Sequence, residues 1–151
     1  MSEINRRQFV QATVALACAC CTCDAFAEAA KESGSKTVDC GSISDFSKDA
    51  VTDKWATSEK FFIVRHEGKI YAPSAICSHK RKQLKIKDGK IFCPGHGSKF
   101  DDMGVPTKGP ASTPLYRYKV TKDEKGHLVV DKTKQFEEKE WDKEGAFVEI
   151  G

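Results

Sequence analysis

Leu84-Lys85-Ile86-Lys87-Asp88-Gly89-Lys90-Ile91-Phe92 is the stretch on which the fold turns. Apolar and charged residues alternate ahead of Asp88-Gly89, the period of a strand with one buried and one wet face. Asp-Gly favours a two-residue hairpin turn because both positions there take positive φ, and Lys90-Ile91-Phe92 leads the chain back. The same grammar extends outward. Upstream, Phe61-Phe62-Ile63-Val64-Arg65 is a β-rich run, His66-Glu67-Gly68-Lys69 a turn and Ile70-Tyr71-Ala72 its return. Downstream, Tyr116, Tyr118 and Val120 alternate with Arg117 and Lys119 as a half-buried strand, and Gly126 before Leu128-Val129-Val130 marks another hairpin. Residues 37–131 show no helical period and no internal repeat, so the expected fold class is all-β and antiparallel. Residues 132–145 are mostly charged, with Phe136 and Trp141 as isolated apolar anchors. They read as a covering loop or short helix, and residues 146–150 as an edge strand.

The chain has 151 residues, 39% hydrophobic and 31% charged, with a formal charge of +3. That length suits one small domain and excludes a multidomain enzyme. The balance excludes a membrane bundle and a disordered polyelectrolyte. Charge is unevenly shared: residues 123–151 hold 9 acids against 5 Lys, net −4, and residues 28–122 carry +7. Four of the seven cysteines (Cys18, Cys20, Cys21, Cys23) crowd the N-terminus, so Cys40, Cys77 and Cys93 are too few for a disulfide framework.

The first 27 residues read as an address. Asn5-Arg6-Arg7-Gln8-Phe9-Val10 sets paired arginines before the uncharged run from Gln8 to Cys23, and Ala25-Phe26-Ala27 offers small residues for cleavage before Glu28. The run spans 16 residues, short of the ~20 a membrane helix needs. The pattern resembles a twin-arginine export signal, and an uncleaved anchor is the second reading. Residues 28–37, with Ser33-Gly34-Ser35, read as a flexible leader, which places the folded domain at 38–131 and a charged C-terminal extension packing on it at 132–151. The expected location is the periplasm or cell envelope, with membrane contact only if the N-terminal segment is retained.

Cys77-Ser78-His79 and Cys93-Pro94-Gly95-His96 bracket the Asp88-Gly89 hairpin. Each box follows a strand, so the hairpin can bring the boxes together and two thiolates and two imidazoles can converge. That donor set fits either structural zinc or an iron–sulfur cluster, and spacing alone leaves both open.

The surrounding residues narrow the choice. Residues 93–101 (Cys93-Pro94-Gly95-His96-Gly97-Ser98-Lys99-Phe100-Asp101), Gly104, Gly109-Pro110-Ala111, Pro114-Leu115 and Tyr118 resemble the second cluster box and proline-containing loop of Rieske proteins. With the Cys77/His79 box, the resemblance covers about residues 60–120. It implies an antiparallel β-sandwich or barrel with a small cluster-binding subdomain formed by two hairpin loops. It also implies one 2Fe–2S cluster, with Cys77 and Cys93 on one iron and His79 and His96 on the other. Ser98 matches a serine whose hydroxyl donates to a cluster sulfide. Two ferric ions, two sulfides and two thiolates sum to zero, so the oxidised centre accepts an electron more easily than an all-thiolate one, and Rieske potentials span roughly −150 to +300 mV.

Departures from the family pattern carry information too. High-potential members join an extra cysteine from each loop in a disulfide; here those positions look like Lys82 and Gly95. The first box lacks its usual glycine and carries Lys80-Arg81-Lys82. Phe100 stands where high-potential members use a Tyr that donates to a cysteine sulfur, which points to the lower or middle part of the range. The function implied is one-electron transfer, as a soluble carrier or a small subunit of a larger oxidoreductase, not as a stand-alone enzyme. A ferredoxin of an oxygenase system and a non-redox zinc module are the alternatives. Lys80, Arg81 and Lys82 read either as a solvated charge run or as a positive rim for an acidic redox partner, and no nucleic acid is implied. His66 and His127 read as surface residues, Cys40 as a half-buried free thiol, and Trp55 and Trp141 as packing residues.

Overall fold

The computed structural model describes residues 36–150, so the address segment and most of the leader lie outside the described residues. Eleven strands and two 3₁₀ turns make up the described chain, and its antiparallel pairing agrees with the expected all-β class. The strands are β1 (Thr37–Ser42), β2 (Ala50–Thr52), β3 (Ile63–His66), β4 (Lys69–Pro73), β5 (Lys85–Lys87), β6 (Lys90–Phe92), β7 (Lys99–Phe100), β8 (Pro106–Lys108), β9 (Arg117–Lys122), β10 (His127–Phe136) and β11 (Val148–Glu149). A seven-stranded sheet runs β1-β10-β9-β4-β3-β2, with β11 added to β4; a separate four-stranded sheet runs β5-β6-β7-β8.

Both tight hairpins follow from turn chemistry. Glu67-Gly68 and Asp88-Gly89 all take positive φ (50°, 74°, 52° and 73°), the signature of a type I′ turn whose twist matches the flanking strands. His66 then faces Lys69, and Lys87 faces Lys90.

The run at residues 61–64 explains how two cores coexist. All four residues are fully buried, which a half-wet strand cannot accomplish. Period-two alternation sends Phe61 and Ile63 into one core with Ile70, Tyr118, Val120, Leu128 and Val130. Phe62 and Val64 enter the other, with Ala75, Leu84, Ile91, Phe100, Ala111 and Leu115. Burying such side chains contributes roughly 1.5–3 kcal/mol each. Trp55 stacks on Phe61 with ring centroids 6.2 Å apart, as a packing residue should.

Two readings need correction. Arg117 does not face water opposite Tyr118; it is 2% exposed. Its guanidinium lies between two rings, 4.1 Å from that of Tyr71 and 3.7 Å from that of Trp141, and Nη2 donates to the Met103 carbonyl at 3.2 Å. Stacking supplies what water would have, and burial draws its pKa down to about 10. Cys40 is buried, not half-buried, and burial pushes its thiol up to about 12.

β10 continues beyond Val130 to Phe136. The register with β9 slips between Asp131 and Gln135, where the Asp131 carboxylate accepts from the Thr133 N–H at 2.9 Å and its hydroxyl at 2.6 Å. This bulge lets a charged stretch stay in the sheet and lands Phe136 in the interior, 1% exposed. A 3₁₀ turn at Glu138–Glu140 follows, then Trp141 over Arg117, and β11 pairs Val148 with Ile70. Among the described residues no helix is long and apolar enough to cross a membrane.

Candidate metal centre

Two loops with the same backbone pattern carry the four donors. In the first, the Cys77 N–H donates to the Lys82 carbonyl at 2.8 Å and the Arg81 N–H to the Cys77 carbonyl at 3.0 Å. In the second, the Cys93 N–H donates to the Ser98 carbonyl at 2.8 Å and the Gly97 N–H to the Cys93 carbonyl at 2.9 Å. Each loop thus closes on its own cysteine, and the matching position is left-handed in both, Arg81 at φ 52° and Gly97 at φ 75°. Glycine takes that conformation freely; arginine does so at a cost of roughly 1–2 kcal/mol.

The closures sort the donors by depth. Cys77 and Cys93 are 1% and 0% exposed, on a floor made by Leu84, Ile91, Phe100, Ala111 and Leu115. His79 and His96 are exposed at the rim, ring centroids 5.1 Å apart and planes nearly perpendicular at 89°. Burial raises the Cys77 thiol above its ordinary range; the backbone N–H at His79 opposes this, and the adjacent Cys93 thiol adds to it. Two neighbouring buried thiols of this kind become thiolates when a cation supplies the balancing charge.

A third segment walls the site. The Ala111 N–H donates to Ser98 Oγ at 3.0 Å, and Ser78 Oγ donates to the Thr113 carbonyl at 2.6 Å. The segment is further held by the Leu115 N–H on the Gly104 carbonyl at 2.9 Å, and its Gly109–Pro110 bond is cis. Ser98 is fully buried, and accepting from Ala111 leaves its own hydroxyl proton free to donate. The Lys82 stem lies against Gly95, with Cγ 3.2 Å from where a Cβ on that glycine would stand. Lys80 and Arg81 are exposed.

The residues fit a two-metal centre. Two buried thiols and two exposed imidazoles make up the donor set that a 2Fe–2S centre with two thiolate and two imidazole ligands would use. Cys77 and Cys93 would hold the inner iron, His79 and His96 the outer, and Ser98 would donate to a sulfide.

Sequence reasoning missed three features here. Ser78 was only the spacer of its box, yet it ties the first loop to Thr113. The Lys82–Gly95 contact and the Arg117 clamp join distant residues and left no local signal. His66 and His127 stand apart from the centre, with Nδ1 3.0 Å from Asp102 and from Asp39 respectively.

Comparison with known proteins sets this geometry in context. The chain is 38% identical over 71 residues to the cytochrome bc1 complex Rieske iron-sulfur subunit of Corynebacterium efficiens, covering 44% of this chain and 17% of that protein. It is 39% identical over 74 residues to the cytochrome b6-f complex iron-sulfur subunit of Chlorobaculum tepidum, covering 48% and 40%. The chain therefore spans less than half the length of these curated relatives. Among solved structures, the cyanobacterial plasma membrane Rieske protein PetC3 from Synechocystis PCC 6803 aligns with a TM-score of 0.47 at 26% identity, over 62% of this chain and 97% of that one. The sequence profile of the Rieske [2Fe-2S] domain matches residues 36–122, more than half the chain, including all four donors. The chain belongs to the Rieske [2Fe-2S] domain family.

Proposed function

We propose that the chain is a one-electron carrier whose 2Fe–2S cluster is held by Cys77, His79, Cys93 and His96. The observation that carries this reading is the split of the donors, two thiols on an apolar floor and two imidazoles at an exposed rim. Such a cluster takes up and gives up one electron at a time. The protein's own residues do the rest. The floor excludes water from the thiol side, the loop closures fix both cysteines, and the exposed histidines bring the centre to the surface where a partner can reach it.

The carrier serves a larger oxidoreductase of the cell envelope, either from solution or as a small subunit. The likeness to subunits of cytochrome bc1 and b6-f complexes supports a membrane-associated partner. Arg6-Arg7 and Ala25-Phe26-Ala27 support export by a twin-arginine route. Lys80, Arg81 and Lys82, beside His79, supply a positive rim for an acidic partner. Lys82 and Gly95 occupy the positions that high-potential relatives join by a disulfide, so the loops here are strapped by the Lys82 stem instead.

The decisive experiment is chemical analysis of native protein. About two irons and two acid-labile sulfides per chain, with an EPR signal appearing on reduction, are expected. Protein without iron or labile sulfide overturns the reading, and loss of the EPR signal in His79→Ala or His96→Ala tests the ligand assignment.

A further inference from the structure

The outer face of the four-stranded sheet bears a charge pattern that the metal centre does not use. Strand alternation turns Ile86, Ile91 and Phe100 toward the core and sends Lys85, Lys87, Lys90, Phe92, Lys99 and Lys108 to the other side. The register sets Lys85, Phe92, Lys99 and Lys108 in one row across all four strands, with Lys87 opposite Lys90 in the next. All five lysines are exposed, and none has an ion-pair or hydrogen-bond partner among the described residues. Asp88, in the turn, is the lone acid between residues 84 and 100.

That arrangement has a cost. Like charges directly opposite each other weaken a sheet, and Lys87/Lys90 and Lys99/Lys108 are two such pairs with no ion-pair partner among the described residues. A protein surface that brings carboxylates removes the repulsion and gains the attraction. Lysine is a hydrated point charge without arginine's rigid fork, which suits the small, loosely oriented contacts of transient redox encounters. The half-buried Phe92 is the face's single apolar side chain, too little for the insertion that holds a protein on a lipid interface.

We propose that this face docks the carboxylate-rich surface of a partner protein, separately from the histidine rim. The inference rests on the electron-carrier reading and specifies the chemistry of one partner. Phe92 directly precedes Cys93, so a protein seated here lies one residue along the chain from a buried thiol of the centre.

The test uses the full, iron-loaded chain on a gold electrode bearing a carboxylate-terminated monolayer, which stands in for the partner. Wild-type protein is expected to adsorb at low ionic strength and to leave as salt is raised. The variant carrying Lys85→Gln, Lys87→Gln, Lys90→Gln, Lys99→Gln and Lys108→Gln is expected to adsorb about tenfold less. Lys80→Gln/Arg81→Gln/Lys82→Gln removes the other positive patch and is expected to lose clearly less adsorption than the five-site variant. Undiminished adsorption of the five-site variant, or an equal loss in the rim variant, overturns the proposal. So does co-sedimentation with vesicles of phosphatidylcholine plus phosphatidylglycerol that the five-site variant abolishes, since that assigns the face to a membrane. Iron content and visible absorption are read on every sample. Iron missing from wild type sinks the electron-carrier reading, whereas intact iron with unchanged adsorption sinks the docking surface alone.

Discussion

Lys82 Cβ lies 3.8 Å from the position a Cβ on Gly95 would occupy, across the gap between the two metal-centre loops. That is the mean Cβ–Cβ separation of a disulfide, about 3.8 Å. Gly95 is not among the residues at positive φ, so a side chain there meets no backbone penalty. The iron-loaded double variant Lys82→Cys/Gly95→Cys is therefore expected to close a bridge and gain about 3 kcal/mol. Melting with and without reductant reads the gain, and a bridge that fails to form, or lowers the melting temperature, refutes the geometry.

Arg81 occupies the left-handed position that Gly97 fills in the sister loop. Arg81→Gly is expected to raise stability, and Gly97→Ala to lower it, each by roughly 1 kcal/mol. Denaturant midpoints of the two variants should move in opposite directions.

Phe100 is fully buried in the cluster of side chains that includes both Cys77 and Cys93. High-potential family members carry at this position a Tyr whose hydroxyl donates to a cysteine sulfur. If about 1 kcal/mol of hydrogen bonding favours the reduced centre, Phe100→Tyr raises the reduction potential by on the order of 50 mV. Voltammetry showing no change, or a fall, contradicts this.

Trp141 is the lid over a buried cation. Trp141→Ala uncovers one side of Arg117 and removes the stacking that replaces its lost hydration. The expected cost is about 2–4 kcal/mol, with faster proteolysis beyond Phe136 as the local readout.

His127 and Asp39 join β10 to β1 at 3.0 Å. The Asp39 carboxylate holds the imidazole above its ordinary 6.5, and the imidazole, with the Gly41 N–H, holds the carboxyl below its ordinary 3.8. The His127 contribution is complete below 6.5 and fades as pH rises through the raised value. That of Asp39 is complete above 3.8 and fades as pH falls through the depressed one. Asp39→Asn should return the NMR titration midpoint of His127 toward 6.5; an unmoved midpoint would falsify the pairing.

What the sequence disclosed was local. Asp88-Gly89 announced its turn because positive φ at two successive positions is chemistry carried by those residues alone. The Cys77 and Cys93 boxes stood out for the same reason: metal-ligating types at fixed, short spacing. What stayed hidden depended on residues far along the chain. Arg117 reads as solvent-facing between two tyrosines, and only Tyr71 and Trp141, from β4 and the C-terminal segment, make its burial tolerable. Lys132 to Gln135 reads as too charged for a strand, because the Asp131–Thr133 bulge that carries the chain past the register slip is a pairing event with β9. The first-loop closure was equally invisible, since it uses backbone groups of Cys77, Arg81 and Lys82 whatever their side chains.

The run from Phe61 to Val64 serves two interiors at once, odd positions to one and even positions to the other. The half that carries Cys77 and Cys93 cannot for that reason be cut out as a freestanding miniature: any excision that keeps Phe62 and Val64 strips the neighbouring half of Phe61 and Ile63. The molecule should melt in a single step, and damage inflicted far from the histidines should be felt at them.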